Sequence, residues 1–303
     1  MMIFLHEIVI KPFDPTKLNE LAKDQVMIYN QAIKTFPDYF PAKVEDVVKR
    51  FQRKEFDQKR MFYAFDRDEM IGYAGLSGKN LQYNSRTAGY PWILKGVDPN
   101  VRNLLYNAME KQCRKEGTRS MHAFVVERYL DIIDFFESRN FHITQDFIIF
   151  EKKLSKIKFK TPEGYTFRSL KEKDLPRLET ISLRDRRVKE RIFSSDWTQF
   201  MNFSEYNTDD VIIAEKNGNI AGFYALSIPA DQKKTKTYFA GLAVDVKDQM
   251  IEPYIEMELE NRAFERGKKT LEISLSTFSK KIPLAKEKGF QPAGITLKLE
   301  KFL

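Results

Sequence analysis

The sequence has little cysteine, little histidine and no long apolar run. Its only cysteine, Cys113, excludes an internal disulfide and any metal site built from several cysteines. The three histidines are scattered without ligand spacing, so the sequence predicts no metal centre. No window reaches the roughly 18 consecutive apolar residues of a membrane helix, and the apolar start lacks the features of a signal peptide. These absences predict a cytoplasmic chain with no membrane contact.

The composition is that of a soluble chain with two cores. Its 303 residues, 42% of them hydrophobic, are enough for two domains of common size. The net charge of +8 is spread over both halves, with 24 Lys/Arg against 21 Asp/Glu through residue 155 and 27 against 22 afterwards. A protein that binds a phosphate backbone usually concentrates its positive charge on one face. The charge pattern therefore argues against nucleic acid as a partner.

An internal repeat organises the chain. The segments 62–78 and 211–228 each predict a strand, a polar turn and a second strand, and their glycines Gly72 and Gly222 are 150 residues apart. Gly117 and Gly267, also 150 apart, each stand where an amphipathic helix is expected to stop. Composition changes to a basic, turn-rich stretch at 154–164. We therefore predict one domain over residues 1–155 and another over 156–303.

The order of predicted elements resembles that of the GNAT superfamily of acetyl-CoA-dependent N-acyltransferases. The end of each copy, YLDIIDFFESRNF and FSKKIPLAKEKGF, is similar to the family pattern N-x-x-A-x-x-x-Y-E-x-x-G-F, and the second copy keeps its last two residues as Gly289 and Phe290. The resemblance implies an α/β (α+β) fold. It implies two tandem GNAT-like domains, each with a mixed, mostly antiparallel sheet flanked by helices.

The resemblance also implies where an acyl donor binds. In the family, backbone amides of a Q/R-x-x-G-x-G/A turn hold the diphosphate of acetyl-CoA at the start of the helix after the central strand, as an anion at a helix N-terminus. In the matching first-copy segment, VDPNVRNLLYN, Arg102 takes the Q/R position, whereas Leu105 and Asn107 replace the glycines. The implied cofactor-binding residues are Val97, Arg102, Asn103, Leu104, Leu105 and Asn107.

The second copy departs further from this pattern. Its segment VDVKDQMIEPY has Gln249 at the Q/R position, and Glu252 and Tyr254 replace the glycines. Glu252 would repel a phosphate, and Pro253 removes one amide donor. The first copy is therefore the favoured site for acetyl-CoA.

Catalytic residues are harder to assign. Many family members protonate the departing thiolate from a tyrosine, but Phe136 and Ala285 occupy the matching positions and cannot donate a proton. Tyr129, at the place of the family asparagine, is the remaining catalytic candidate, and its alternative is a core aromatic. The arginines of one predicted helical face could meet an anionic acceptor, although interleaved acidic residues favour a solvated helix. These arginines are Arg184, Arg187 and Arg191.

The sequence predicts an N-acetyltransferase that transfers an acetyl group from acetyl-CoA to an unidentified amine acceptor. One copy would bind the donor, without a metal, and the other would be a structural partner. The alternative is a catalytically inactive GNAT-like scaffold that acts as a binding or assembly module. The missing glycines and tyrosines favour that alternative.

Overall fold

The computed structural model describes residues 7–34, 36, 41–52, 56–80, 83–185, 211–227 and 236–303. The described strands are β1 (Ile8–Pro12), β2 (Met61–Asp66), β3 (Glu69–Gly75), β4 (Ser85–Thr87), β5 (Trp92–Ile93), β6 (Ser120–Val126), β7 (His142–Lys153), β8 (Tyr165–Ser169), β9 (Val211–Lys216), β10 (Asn219–Ser227), β11 (Lys236–Val244), β12 (Thr270–Ser276) and β13 (Gln291–Phe302). The described α-helices are α1 (Leu18–Ala32), α2 (Val44–Phe51), α3 (Asn100–Lys115), α4 (Leu130–Glu137), α5 (Leu175–Asp185), α6 (Glu252–Glu265) and α7 (Ile282–Glu287). None of these helices combines the length and the apolar character needed to cross a membrane.

The chain divides into two compact units whose boundaries fall inside strands. The first unit contains the described residues through Asp146 together with Ile295–Leu303, and the second contains those within Phe147–Gly294. The chain therefore leaves the first unit within β7 and returns to it within β13.

The first unit has two short sheets. One has the strand order β1-β2-β3-β5 and is antiparallel throughout. In the other, β6 pairs in parallel with β4 and antiparallel with β13. Helices α3 and α4 cover the β6 face that carries Met121, Ala123 and Val125, whereas α1 and α2 pack on the opposite face of the β2–β3 hairpin.

The second unit repeats this plan with the strand order β7-β12-β11-β10-β9-β8. Its pairs are antiparallel except β11 with β12, which are parallel. Helices α6 and α7 pack on one face, with Leu259 and Ala285 in the core. Helix α5 packs on the other face, against Val211 and Ile213. The predicted α/β (α+β) architecture, with mixed, mostly antiparallel sheets flanked by helices in both units, is confirmed.

The paired glycines have the same structural role in both units. A Cβ atom on Gly72 would lie 2.9 Å from the carbonyl oxygen of Trp92 and 3.2 Å from the side chain of Leu105. On Gly222 it would lie 3.0 Å from the carbonyl oxygen of Ala243 and 3.1 Å from Ile255. Each glycine therefore lets the next strand and the following helix approach the hairpin closely.

The strand that closes each unit comes from the other repeat. Residues 147–153 of β7 pair with β12 in the second unit, and residues 296–302 of β13 pair with β6 in the first. Phe150 and Leu299, one from each strand, are completely buried in these units. The compact units therefore begin and end inside these two strands, between Asp146 and Phe147 and between Gly294 and Ile295. The division into sequence repeats at 155 stays a prediction.

Equivalent ion pairs fix the two exchanged strands. Lys301 Nζ on β13 lies 2.6 Å from Glu110 Oε2 on α3, and Lys152 Nζ on β7 lies 2.6 Å from Glu260 Oε1 on α6. Each pair joins an exchanged strand to the long helix of the unit that it completes.

Candidate functional site

Two adjacent strands separate in the first unit and leave an opening in its sheet. β4 pairs with β6 from Ser85 to Thr87, and the amide of Ala88 donates to the carbonyl of His122 at 2.7 Å. Beyond this bond, β5 pairs with β3, whereas β6 continues along β13. We call the gap between residues 89–93 and 123–126 the strand opening. Divergence at the carboxyl ends of parallel strands creates a crevice, which is a common ligand position in α/β proteins.

The second unit has an equivalent divergence. β11 and β12 pair only from Lys236 to Tyr238 and from Thr270 to Glu272. The rest of β11 stays with β10, and the rest of β12 stays with β7. Both units therefore carry the same structural feature.

Helix α3 begins beside the strand opening, but its first amides already have acceptors. The amide of Asn100 donates to Asp98 Oδ1 at 2.9 Å. The amides of Val101 and Arg102 donate to the carbonyls of Asp98 and Pro99, both at 3.0 Å. The first turn of the helix is therefore capped by the chain itself, and it does not present a row of free N–H groups to an anion.

The predicted donor-binding residues are spread along this turn and the helix behind it. Residues 103–107 lie within α3, where each N–H donates to a carbonyl one turn earlier. Leu105 is fully buried in the core, Leu104 is half-buried and Asn107 is exposed. The Val97 amide donates to the carbonyl of Leu94 at 3.3 Å. The structure thus brings these residues to one end of α3 with their amides engaged, and their role in donor binding stays a prediction.

The Arg102 side chain has unused hydrogen-bonding capacity. Its guanidinium lies 5.4 Å from the centre of the Tyr90 ring, on the wall of the strand opening. Its Nε is buried, and no described residue accepts a hydrogen bond from it. Burial raises the pKa of Tyr90, and the positive charge of Arg102 opposes that shift. A buried donor without an acceptor costs free energy that an anionic ligand would recover.

A second guanidinium lies close to the same helix. Arg139 follows α4 and donates to Asn103 Oδ1 and to the carbonyl of Phe135. It lies 3.5 Å from the centre of the Phe135 ring, and burial lowers its pKa from the ordinary value. The side chain of Asn103, a predicted donor contact, is thereby held by Arg139 and by Asn100.

The positions considered from the sequence for a catalytic tyrosine lie in or against the core. Phe136 and Ala285 are buried in equivalent places, and neither side chain carries a proton that it could donate. Tyr129 is half-buried at the N-terminus of α4, where its ring meets Phe36 edge-on at 4.9 Å. The arrangement gives Tyr129 a packing role, and its catalytic role stays a prediction.

The equivalent place in the second unit is occupied by an ion-pair cluster. Asp245 is buried at the end of β11, with Oδ2 2.6 Å from Arg177 and 3.8 Å from Arg184. Its Oδ1 accepts from the amide of Lys247, at the start of the 3-10 segment Val246–Ile251. Arg184 thus contacts a buried carboxylate, and the other predicted arginines, Arg187 and Arg191, lie outside the described residues.

One polar pair beside the strand opening was not predicted from the sequence. His122 on β6 lies directly opposite Glu300 on β13, with Nε2 and Oε1 2.8 Å apart, and Ser120 Oγ lies 3.2 Å from the same nitrogen. Histidine and glutamate are 178 residues apart in sequence, and only the strand exchange brings them together. Within the described ranges no group of histidine, cysteine and acidic residues could hold a metal ion.

Comparisons with solved structures show the fold class. No protein-family model and no curated protein matches the sequence. A tandem GNAT protein from the clavulanic acid biosynthesis pathway superposes with a TM-score of 0.71 over 98% of each chain, at 11% identity. A GCN5-related N-acetyltransferase from Sphaerobacter thermophilus gives 0.66 over 97% of this chain and 95% of the other, at 14% identity. The N-myristoyltransferase of Saccharomyces cerevisiae with bound myristoyl-CoA and inhibitors gives 0.64 over 99% and 81%, at 12% identity. At these identities the likeness establishes the tandem GNAT fold.

Proposed function

We propose that the chain is a cytoplasmic acyltransferase that takes an acyl group from an acyl-CoA, with acetyl-CoA as the donor and an amine as the acceptor. Two of its structural neighbours are described as acetyltransferases or tandem GNAT proteins, and another holds myristoyl-CoA. The observation that carries the proposal is the strand opening of the first unit with Arg102 on its wall. The separated strands and the buried Nε of Arg102, for which no described residue is an acceptor, occur together there.

The way in which the donor is held follows from the contacts of α3. Because the first amides of the helix are already bonded, the diphosphate would be met mainly by the guanidinium of Arg102. Arg139 adds a second positive charge behind Asn103. The bound donor would supply an activated thioester, and the residues of this chain would orient it and exclude water.

The second unit is proposed as the structural partner. Asp245 and Glu252 place negative charge at the start of its helical segment, and Pro253 lacks an amide hydrogen. The guanidinium groups there, those of Arg177 and Arg184, already pair with Asp245, so a diphosphate would have to compete with that carboxylate. Only one donor site per chain is therefore expected.

A calorimetric titration with acetyl-CoA tests the proposal. Arg102→Glu removes a charge-assisted hydrogen bond worth about 1.5–3 kcal/mol, which corresponds to a roughly 10- to 150-fold loss of affinity, and the new negative charge adds repulsion. The matched change Gln249→Glu, at the exposed counterpart in the second unit, should alter the dissociation constant by less than about twofold.

Three results would contradict this proposal. If the titration shows no heat of binding at millimolar acetyl-CoA, the alternative of an inactive scaffold replaces the proposed function. Two equivalent sites per chain would contradict the role assigned to the second unit. A loss of binding in Gln249→Glu, with Arg102→Glu unchanged, would place the donor in the second unit.

A further inference from the structure

The titratable pair His122 and Glu300 lies where the two strands of the first unit separate. The carbonyl of His122 accepts the last main-chain hydrogen bond before the strand opening, from Ala88. Met121 and Ala123 point into the core under α3 and α4, so the alternation of the strand directs His122 to the other face of the sheet. The imidazole is therefore on the side opposite the helix that carries Arg102.

The contacts of the imidazole define its tautomer. Both of its polar neighbours, Glu300 Oε1 and Ser120 Oγ, lie next to Nε2. Burial alone would raise the pKa of Glu300, but hydrogen bonds from His122 and Ser120 hold that pKa below its ordinary value. An ionised carboxylate can only accept, so in the neutral imidazole Nε2 carries the hydrogen that bonds to Glu300 and Nδ1 carries the lone pair. No described residue donates to Nδ1.

The ring is held by two polar neighbours, and a small part of its surface is exposed. The side chains of His122 and Glu300 are 12% and 17% exposed, and Lys298 Nζ lies 3.7 Å from Glu300 Oε2. A carboxylate that orients a histidine from the nitrogen opposite its free lone pair is the arrangement of an activated base.

The same position is titratable in the second unit. Glu272 occupies the place of His122 on β12, at the last residue paired with β11, and Glu151 lies directly opposite it on β7. The point of strand separation thus carries a proton-accepting side chain in both units, each facing a glutamate of an exchanged strand.

We propose that His122 is the general base of the first unit and that Glu300, supplied by the last strand of the second repeat, is its positioning residue. This inference rests on the proposed acyltransferase function. The lone pair of the acceptor nitrogen forms the bond to the thioester carbonyl carbon, and the C–S bond breaks with its electron pair on sulfur. Nδ1 of His122 takes the proton that the nitrogen loses, and the thiolate is protonated by the imidazolium or by water. The acceptor reaches the thioester through the strand opening, from the face opposite α3.

Nuclear magnetic resonance of the histidine rings tests the placement without turnover. The chain has three histidines, so His122→Gln alone assigns the relevant ring signals. Saturating acetyl-CoA should shift the ring signals of His122 and leave those of His142, which is exposed on β7, unchanged. Glu300→Gln should turn the single tautomer of His122 into a mixture, because the amide can donate as well as accept.

Release of CoA from acetyl-CoA, with tyramine as a simple amine probe, tests the chemistry. His122→Gln should lower kcat by about 10²- to 10⁴-fold with KM for acetyl-CoA within about twofold. Added imidazole should restore part of the rate in His122→Ala. The matched variant Glu272→Gln, at the equivalent position of the second unit, should keep its rate within about twofold, because it lies outside the donor-binding unit.

The outcomes separate this inference from the proposed function. No binding of acetyl-CoA at all contradicts the proposed function. Binding that leaves the His122 signals in place, or turnover that survives His122→Gln, overturns the assignment of the base. A chain that binds acetyl-CoA and releases no CoA with tyramine also overturns it. A thermal midpoint for His122→Gln within a few degrees of the parent shows that a lost rate is not a lost fold.

Discussion

Leu299→Ala is expected to destabilise the first unit, although the residue belongs to the end of the second repeat. Leu299 is completely buried among Met121 and Ala123 of β6 and the core residues of α3. Removing three carbon atoms costs about 2.4 kcal/mol in transfer free energy. The cavity left behind brings the expected loss to about 3 kcal/mol, within the range of roughly 2–5 kcal/mol for such changes.

Hydrogen exchange followed by mass spectrometry locates this effect. In Leu299→Ala, amides of β6 should exchange faster, while amides of β12 keep their protection. The mirror variant Phe150→Ala should give the opposite pattern, because Phe150 is buried in the second unit next to Leu271. Its expected cost is about 3–5 kcal/mol.

The opposite result would be faster exchange in β12 of Leu299→Ala while β6 stays protected. That result would mean that each repeat closes its own sheet. A uniform increase of exchange over both units would mean that they unfold as a single cooperative body. The effect of Leu299→Ala could then not be assigned to one unit.

Other changes test the packing and the charge network. Gly72→Ala should lower the free energy of unfolding by about 1–3 kcal/mol, because the new Cβ meets the carbonyl of Trp92, whereas Gly294→Ala, whose nearest neighbour is at 3.8 Å, should be nearly neutral by urea denaturation. Burial alone would raise the pKa of Asp174, but its hydrogen bonds from Arg168 and the Lys171 amide hold that pKa below the ordinary value. The stability from this carboxylate is therefore present above its unfolded pKa and lost as pH falls through the folded one. Asp174→Asn should lower the free energy of unfolding by about 1.5–3 kcal/mol near neutral pH. It should also weaken the loss of stability at acid pH, and an unchanged pH dependence would count against the ion pair.

Local signals in the sequence predicted hairpin turns and helix ends. The turn residues Arg67 and Asn217 have positive φ angles, as the polar hairpin turns require. Gly117 and Gly267 also have positive φ and end their helices where the repeat predicts. At each of these positions the residue type restricts the backbone conformation, so the turn or helix end can be predicted from one sequence.

The pairing of strands that are distant in sequence could not be predicted in the same way. β7 and β13 have the same burial pattern along their lengths, so burial alone does not distinguish which sheet each strand completes. The pairing of His122 with Glu300 depends on that choice, so the candidate base could not be read from histidine spacing.

The donor site shows a second limit of sequence interpretation. The segment from Val97 to Asn107 aligns with a phosphate-binding turn, but Asp98 caps the helix early and engages its amides. Capping depends on side-chain geometry within a few residues, which a pattern of glycine replacements does not reveal. The role of these residues in donor binding stays a prediction, and Arg102 Nε is the buried donor among them that has no described acceptor.

The first unit is proposed to bind the acyl donor in its strand opening, and hydrogen exchange with and without saturating acetyl-CoA tests this site. Bound donor should slow exchange at residues 89–93 and 123–126 and leave residues 273–276 of the second unit unchanged. Protection confined to the second unit, or exchange that acetyl-CoA leaves unchanged throughout, would contradict it.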